Sequence, residues 1–446
     1  MRRRNVGIIG GGPGGLMSAY CLQKHANVPF RATIVEATSR LGGKILTSRF
    51  DAAAVMYEAG AAELYDYSVV GHDPLRALIA ELGLATMPMD GCKVIMNDSG
   101  AHRDDAYVWG SAERLALEKF DTWAHECMSP RQFYDSDWKD AAGDPLGQRT
   151  FCSVLENISD KRVRRYVQTM VHSDLATEPH QTNATYGLHN YLMNDPAYMR
   201  LYTIDGGIER LPQELASRID AEILLNQTVT RVEKVATGLR VVSCQGNERI
   251  EREFDFVVVA LPNHLLPTIE WGGPVLAEAM QRHHAYYDYP AHYVRVTILF
   301  ERPFWRQHIN ESFFMLDAFG GCCVYDESSR NSNDSHGVLG WLIGGEPALR
   351  MSGLSDGALI EKVLESLPPS LQAGRECFVE GRVHRWANAV NGMPAGYPPQ
   401  KMDVRHVPEP TQHPNLLIVG DYLFDSTLNG VHDSADYVAE WLAGEL

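Results

Sequence analysis

Residues 6–22 constrain this chain more than any other stretch. A short apolar run, residues 6–9, meets Gly10-Gly11-Gly12-Pro13-Gly14-Gly15; an apolar stretch with helical spacing follows over residues 16–22, and residues 32–35 are apolar again. That order predicts strand, turn, helix and strand, the buried parallel unit that opens a doubly wound sheet. The glycines satisfy GxGxxG where a strand ends and a helix begins. Gly10 allows the tight turn, Gly12 lets backbone approach a pyrophosphate, and Gly15 lets helix and strand pack closely. Pro13 and Gly14 stand at the opening of the helix, whose free N–H groups and dipole favour phosphate. Glu36 comes 21 residues after Gly15 at the end of the next strand, where a carboxylate accepts hydrogen bonds from ribose hydroxyls. An acid there argues against a 2′-phosphate. The expected ligand is an adenine dinucleotide on an NAD(P)-binding-like unit.

The same uncharged stretch follows Arg2-Arg3-Arg4, the flanks of a signal peptide or a membrane span. Its six glycines and Pro13 argue against both. A soluble chain that retains its first residues is expected. A length of 446 residues suggests two or three domains. Forty Lys and Arg against 57 Asp and Glu give 40 − 57 = −17, a surface that repels phosphate backbones and anionic bilayers. Neither nucleic acid nor a membrane span is expected. Eight cysteines without paired CxxC spacing read as reduced thiols in a cytoplasm.

Two further apolar strands, residues 256–260 and 416–419, lie far from the first, with alternating segments at 224–235 and 239–243. One sheet built from distant pieces of chain is the expected result. Residues 1–85, 200–262 and 400–446 then form the dinucleotide-binding domain. Residues 86–199, aromatic-rich in helical spacing and including Trp123, Trp138 and Tyr166, and residues 263–399, with strand-like runs at 292–300 and 313–316, form a substrate domain from two returns of the chain.

Just beyond Glu36 come Arg40, Gly42, Gly43 and Lys44, which supply further N–H groups and a fixed cation near a pyrophosphate. Here the chain resembles the flavin-dependent amine oxidase superfamily of monoamine oxidases, polyamine oxidases and L-amino acid oxidases, which combines GxGxxG, an acidic ribose ligand and Arg-x-Gly-Gly. The likeness continues at Tyr57-Glu58-Ala59-Gly60-Ala61, similar to the segment beneath the isoalloxazine, and at Asp205-Gly206-Gly207. It returns at Asn226-Gln227-Thr228-Val229, where the backbone of Val229 is expected to meet adenine, at Arg385-Trp386, and at Gly420-Asp421 with Asn429-Gly430-Val431-His432. It implies an α/β protein: a Rossmann-like FAD-binding domain with a discontinuous α+β substrate domain. It also implies that Asp421 meets the ribityl chain and that a helix start near Val431 faces the flavin pyrimidine.

The implied reaction removes a hydride from a small organic substrate, an amine or amino acid, giving an imine and, on reoxidation by oxygen, hydrogen peroxide. Where the family's strand before Pro-Phe-Trp carries a lysine tied to oxygen reactivity, this chain places Arg295, ahead of Pro303-Phe304-Trp305. Arginine stays charged and cannot serve as a neutral base. Two readings of Arg295 stand: an anchor for an anionic substrate group or the reduced flavin, and an ion-paired strand arginine. Trp386 and Tyr397 approach the flavin by resemblance, but the second aromatic wall of monoamine oxidases matches Val431. His432 stands close enough to move protons, or it makes a helix-start hydrogen bond. Residues 387–396 lack a tethering cysteine, so FAD is expected to bind noncovalently. His172, His180 and His189 lack a compact ligand spacing, and no metal is expected. Cys322-Cys323 read as buried thiols. The expected partners are a small-molecule substrate and an electron acceptor, with oxygen one candidate and a homodimer one candidate assembly. The alternatives are a flavin dehydrogenase, desaturase or double-bond isomerase that does not use oxygen, and a non-catalytic binding protein on the same fold.

Overall fold

The computed structural model describes residues 3–91, 93–96, 109–135, 144–330 and 335–446; Cys92 and Trp138 lie outside them. The first strand, Arg4–Ile9, sits at the centre of a five-stranded sheet in the order Leu416–Ile418, Phe256–Val259, Arg4–Ile9, Phe30–Val35, Ala221–Leu224. Every neighbouring pair is parallel. Side chains alternate across a strand, so each strand serves two cores. Ile8, Ile34, Val258 and Leu417 pack under Leu16 and Met17 of helix Pro13–His25 and Ala435 and Val438 of helix Leu428–Glu445. Ile9, Val35, Val257 and Ile418 face Val232, Leu239 and Val241 on the other side. The uninterrupted apolar runs are what burial on both faces requires.

That second layer is a four-stranded sheet containing Thr228–Val235, Gly238–Gln245 and Glu248–Phe254 in antiparallel order. The alternating stretch 224–235 is two strands in two sheets. Asn226, at φ 59°, turns the chain between Ala221–Leu224 and Thr228–Val235, and asparagine tolerates that left-handed conformation.

Residues 86–199 differ from the helical expectation at their start. Thr86–Met89 pairs with Arg200–Ile204, and Lys93–Ile95 pairs with Phe313–Leu316 before the helices begin at Ser111. Helix Lys161–Leu175 is capped by the Asp160 carboxylate, which accepts from the N–H groups of Arg162 and Val163 at 2.9 and 3.1 Å. It buries Val163, Val167 and Val171 and stops at Ala176, φ 55°. Helix Ala184–Leu192 packs beside it in the same core.

The long strands Pro290–Phe300 and Phe378–Asn391 head a six-stranded sheet, followed by Gly337–Gly344, Cys322–Asp326, Phe313–Leu316 and Lys93–Ile95. Residues 294–300 are all buried, and Arg295 is the one charged residue among them. Among the described residues no helix is long and apolar enough to cross a membrane, and seven cysteines are free.

Candidate active site

The turn at residues 10–15 joins sheet to helix. The Gly10 N–H donates to the Val35 carbonyl at 2.9 Å, and a Cβ at Gly15 would lie 2.0 Å from the Gly10 oxygen. Only glycine permits that approach. At Gly12 the surroundings are open: a Cβ would meet nothing nearer than the Gly43 Cα at 3.8 Å. Pro13 takes the first helical position, no side chain caps the start, and the first turn carries no acid. These N–H groups are left for an anion.

The Gly42 N–H donates to the Gly11 carbonyl at 2.9 Å, docking the second glycine pair on the first. Arg40 folds back on its own loop, donating to the Leu41 and Ile45 carbonyls at 3.1 Å and to Gly43. It fixes the loop that borders the phosphate site. The Glu36 carboxylate accepts from Gly11 N–H at 2.7 Å and Thr38 N–H at 2.8 Å. Its carbonyl accepts from Gln227 N–H at 2.9 Å, placing it beside the strand of buried Val229. Two glycine pairs, an uncapped helix start and an acid at the strand end are the donor and acceptor set that an adenine dinucleotide requires.

One cleft continues from this turn. At its near end are Pro13, Lys44, Asp421 and Val431; Gly60, Ala61 and Trp386 line its middle; Glu63, Tyr65, Tyr293, Arg295, Tyr325 and Leu342 line the far end. A Cβ on Gly60 would lie 1.9 Å from the Lys44 oxygen. Lys44 Nζ pairs with the Asp421 carboxylate at 2.7 Å and donates to Ala389 O at 2.5 Å. Trp386 is held by its indole N–H, 2.7 Å from the Ala59 carbonyl. Thr427 caps helix Leu428–Glu445 by accepting from Gly430 N–H at 3.1 Å, and this helix start, at Leu428, Asn429 and Val431, also borders the cleft. The residues at this end of the cleft fit a dinucleotide.

Arg295 is the ion-paired strand arginine. It is 1% exposed. Its guanidinium pairs with buried Glu327 and donates through Nε to the Glu58 carbonyl at 2.6 Å, over the Tyr325 ring. Burial opposes its charge, but Glu327, Tyr325 and Glu58 together outweigh burial and hold the group above its ordinary pKa. Arg330, from the same short turn Glu327–Arg330, pairs with the Glu58 carboxylate at 2.9 Å. Glu58 also accepts from Ile208 N–H at 2.9 Å, and its N–H donates to Glu327 at 2.6 Å. Burial pushes the Glu58 carboxyl up while Arg330 draws it down. Two crossed ion pairs therefore clamp the segment that runs into Gly60 and Ala61.

Tyr397 does not line the cleft. It is 44% exposed and packs on Tyr286 and Tyr289. His432 is buried one position past Val431, with Nδ1 3.8 Å from the Asp433 carboxylate, and is not among the lining residues. Neighbouring side chains of a helix start diverge, so Val431 reaches the cleft and His432 does not. Gly420 precedes Asp421 and donates its N–H to Ser434 at 3.1 Å. His172 bonds the Gly321 carbonyl and Glu178, His189 stacks on Phe133, and His180 is exposed; the three do not converge. Glu63, Tyr65, Tyr293, Tyr325, Glu327 and Arg330 are absent from the sequence reading. Only Glu63, a charge ending the small-residue run Ala59-Gly60-Ala61-Ala62, carried a local signal.

A family model described as flavin containing amine oxidoreductase matches residues 13–440. The chain belongs to that family, whose cofactor is FAD, and it is a flavin-dependent oxidoreductase. It is 23% identical over 324 residues to an L-amino acid dehydrogenase of Synechocystis sp., covering 67% of this chain and 64% of that protein. It is 26% identical over 265 residues to a nicotine dehydrogenase of Pseudomonas putida, covering 53% of this chain and 49% of that one. The matches thus span about half to two thirds of these curated relatives. A double mutant of putrescine oxidase superposes with a TM-score of 0.79 at 18% identity over 99% of both chains, which shows the two-domain α/β fold.

Proposed function

We propose that this chain oxidises the C–N bond of a small amine at the far end of the cleft, giving an imine that water hydrolyses. The observation that carries this is continuity: one cleft runs from the phosphate-binding turn past Trp386 to a chamber walled by Tyr65, Tyr293 and Tyr325. Bound FAD supplies an electron-poor ring that accepts a hydride. The protein's part is to orient the substrate carbon, exclude water and fix charge around the ring. The tyrosine wall excludes bulk water, Trp386 is immobilised by its bond to Ala59, and the capped helix start at Leu428 presents its positive end to the cleft.

Residues 1–85, 200–262 and 400–446 hold the dinucleotide in this reading, and residues 86–199 and 263–399 build the chamber. Gly10, Gly12, Pro13, Gly14, Gly15, Glu36, Gly42 and Gly43 bind it, with Val229 at adenine and Asp421 toward the ribityl chain. Binding is noncovalent, since none of the seven described cysteines borders the cleft. The buried free thiols Cys21, Cys322 and Cys323 support a cytoplasmic location. An amine without a carboxylate suits the charges: the two cations on the described wall, Lys44 and Arg295, are each already paired with an acid.

Anaerobic mixing of the yellow protein with a panel of amines and amino acids tests the reading. Bleaching by amines is the expected result, and bleaching by none of them overturns it. Admitting air then identifies the acceptor. Peroxide stoichiometric with recovered colour makes the enzyme an oxidase. Because Arg295 is locked to Glu327 where the family has lysine, slow recovery with fast reduction of an artificial dye identifies a dehydrogenase.

A further inference from the structure

An amine that enters the cleft as an ammonium must lose a proton before hydride can leave its carbon, and the wall offers few groups to take it. Lys44 and Asp421 answer each other at the near end, and Arg295 answers Glu327. Arginine cannot serve as a neutral base. No histidine lines the described wall. Tyr65, Tyr293 and Tyr325 stay protonated, because burial pushes each hydroxyl well above its ordinary range. Glu63 remains. It lines the far end, accepts a hydrogen bond from the Tyr325 hydroxyl at 3.0 Å, and among the described residues has no Lys or Arg ion-pair partner. Arg330, whose charge reaches it, is bonded to Glu58, Thr203 and the Ala62 carbonyl.

We infer that the Glu63 carboxylate takes the proton from the bound substrate ammonium, leaving the neutral amine from which hydride departs. Resting on the amine reading above, this names the group that prepares the substrate. In the first step an N–H bond breaks, an O–H bond forms on Glu63, and the nitrogen keeps the electron pair. The C–H bond then breaks with its two electrons passing to bound FAD, while the nitrogen lone pair closes the C=N bond of the iminium that water hydrolyses. A chamber walled from bulk water favours the first step. Desolvation disfavours both charged groups, so ammonium and carboxylate move toward amine and acid. Burial raises the Glu63 carboxyl, and Tyr325, Arg295 and Arg330 draw it down by less. The other titratable groups that feel its charge are Tyr65, Tyr293, Cys323 and Asp174. None of these four supplies a cation to hold the proton away.

Anaerobic stopped-flow reduction of the FAD-loaded enzyme by n-butylamine and benzylamine, followed across pH, is the test. Glu63→Gln should slow reduction roughly a hundredfold at about pH 7, the scale of a positioned acid or base. The loss should shrink toward none as pH rises to the ammonium's own pKa, because the amine then arrives neutral; Glu63→Asp should keep part of the rate. A loss that is the same at every pH marks a structural role and overturns the inference, as does no loss, while amine oxidation stands in both cases. Difference infrared spectra of dithionite-reduced holoenzyme, which cannot turn the amine over, give a second readout. Benzylamine should raise a protonated-carboxyl band in wild type that Glu63→Gln lacks; no such band in wild type overturns the inference. Should Glu63→Gln fail to hold FAD, Tyr325→Phe decides. Removing the donor to the carboxylate should move the acid limb of the reduction profile to higher pH, and an unmoved limb counts against Glu63. If no amine bleaches the wild-type flavin, the oxidation reading itself fails and the inference falls with it.

Discussion

Arg295 combines a permanent charge, almost complete burial and a place in the middle of a strand, and such a group persists only when its surroundings answer its charge and donors. Glu327 answers its charge and, with the Glu58 carbonyl, two of its three nitrogens. Arg295→Met should strand the Glu327 charge and cost about 3–5 kcal/mol of stability, read by urea unfolding. The double change Arg295→Met with Glu327→Gln should recover part of the loss, because the orphaned charge goes with it; no recovery would mean that packing, not charge, sets the cost. Asp425 gives a pH signature at the same scale. Burial pushes its carboxyl up to about 6, against hydrogen bonds from Thr427 and with Asp433 adding to the rise. The folded protein therefore holds a proton that the unfolded chain releases near an ordinary pKa of about 4. The stabilisation is complete below about 4 and is lost as pH rises through about 6, at up to about 1.4 kcal/mol per pH unit. Asp425→Asn should gain in Tm relative to wild type as pH climbs from about 4 to 7; a constant difference would contradict this.

The elements that matter most to the site are two helix starts with opposite finishing. Helix Pro13–His25 begins bare on Gly12, and helix Leu428–Glu445 begins capped by Thr427. In the proposed reading the bare one receives the phosphates. Gly12→Val fills the space above it and should yield folded apoprotein without the yellow colour; a full flavin complement would refute the assignment. Glu36→Ala removes the acceptor for ribose and should weaken FAD binding far more than it slows hydride transfer in FAD-saturated protein, as separate titration and stopped-flow measurements would reveal. At this scale the glycine turn was legible because its residues are contiguous and each has one steric job. Tyr397 and His432 were not placed well by sequence: neighbouring positions in a motif fix which residues are near a site, but the rotation of helix or loop decides whose side chain reaches it.

At the scale of the molecule, the parallel sheet gathers segments more than 400 residues apart, and the cleft exists only where residues from both predicted domains meet. Strand Pro290–Phe300 brings Arg295 and Tyr293, and strand Met56–Glu58 runs into the lining residues Gly60 and Ala61. A ligand spanning such a joint should couple to global stability. FAD at about a hundred times its Kd is expected to add about 2.7 kcal/mol, raising Tm over the apoprotein, and addition of FAD should restore the higher value. Identical transitions with and without FAD would place the dinucleotide on a peripheral surface instead.

What the sequence determined by itself was local: a run of glycines between strand and helix, an acid at the next strand end, and apolar runs long enough for a sheet buried on both faces. Short-range sterics and hydrogen bonding govern these, so nearest neighbours suffice to read them. The tertiary structure alone decided the charge pairing. Glu58 meets Arg330 across 272 positions and Arg295 meets Glu327 across 32, and no local rule links such partners. Which buried charges end up matched depends on how distant segments are brought together, because the energy of a buried charge is set by what lies within a few ångströms of it in space.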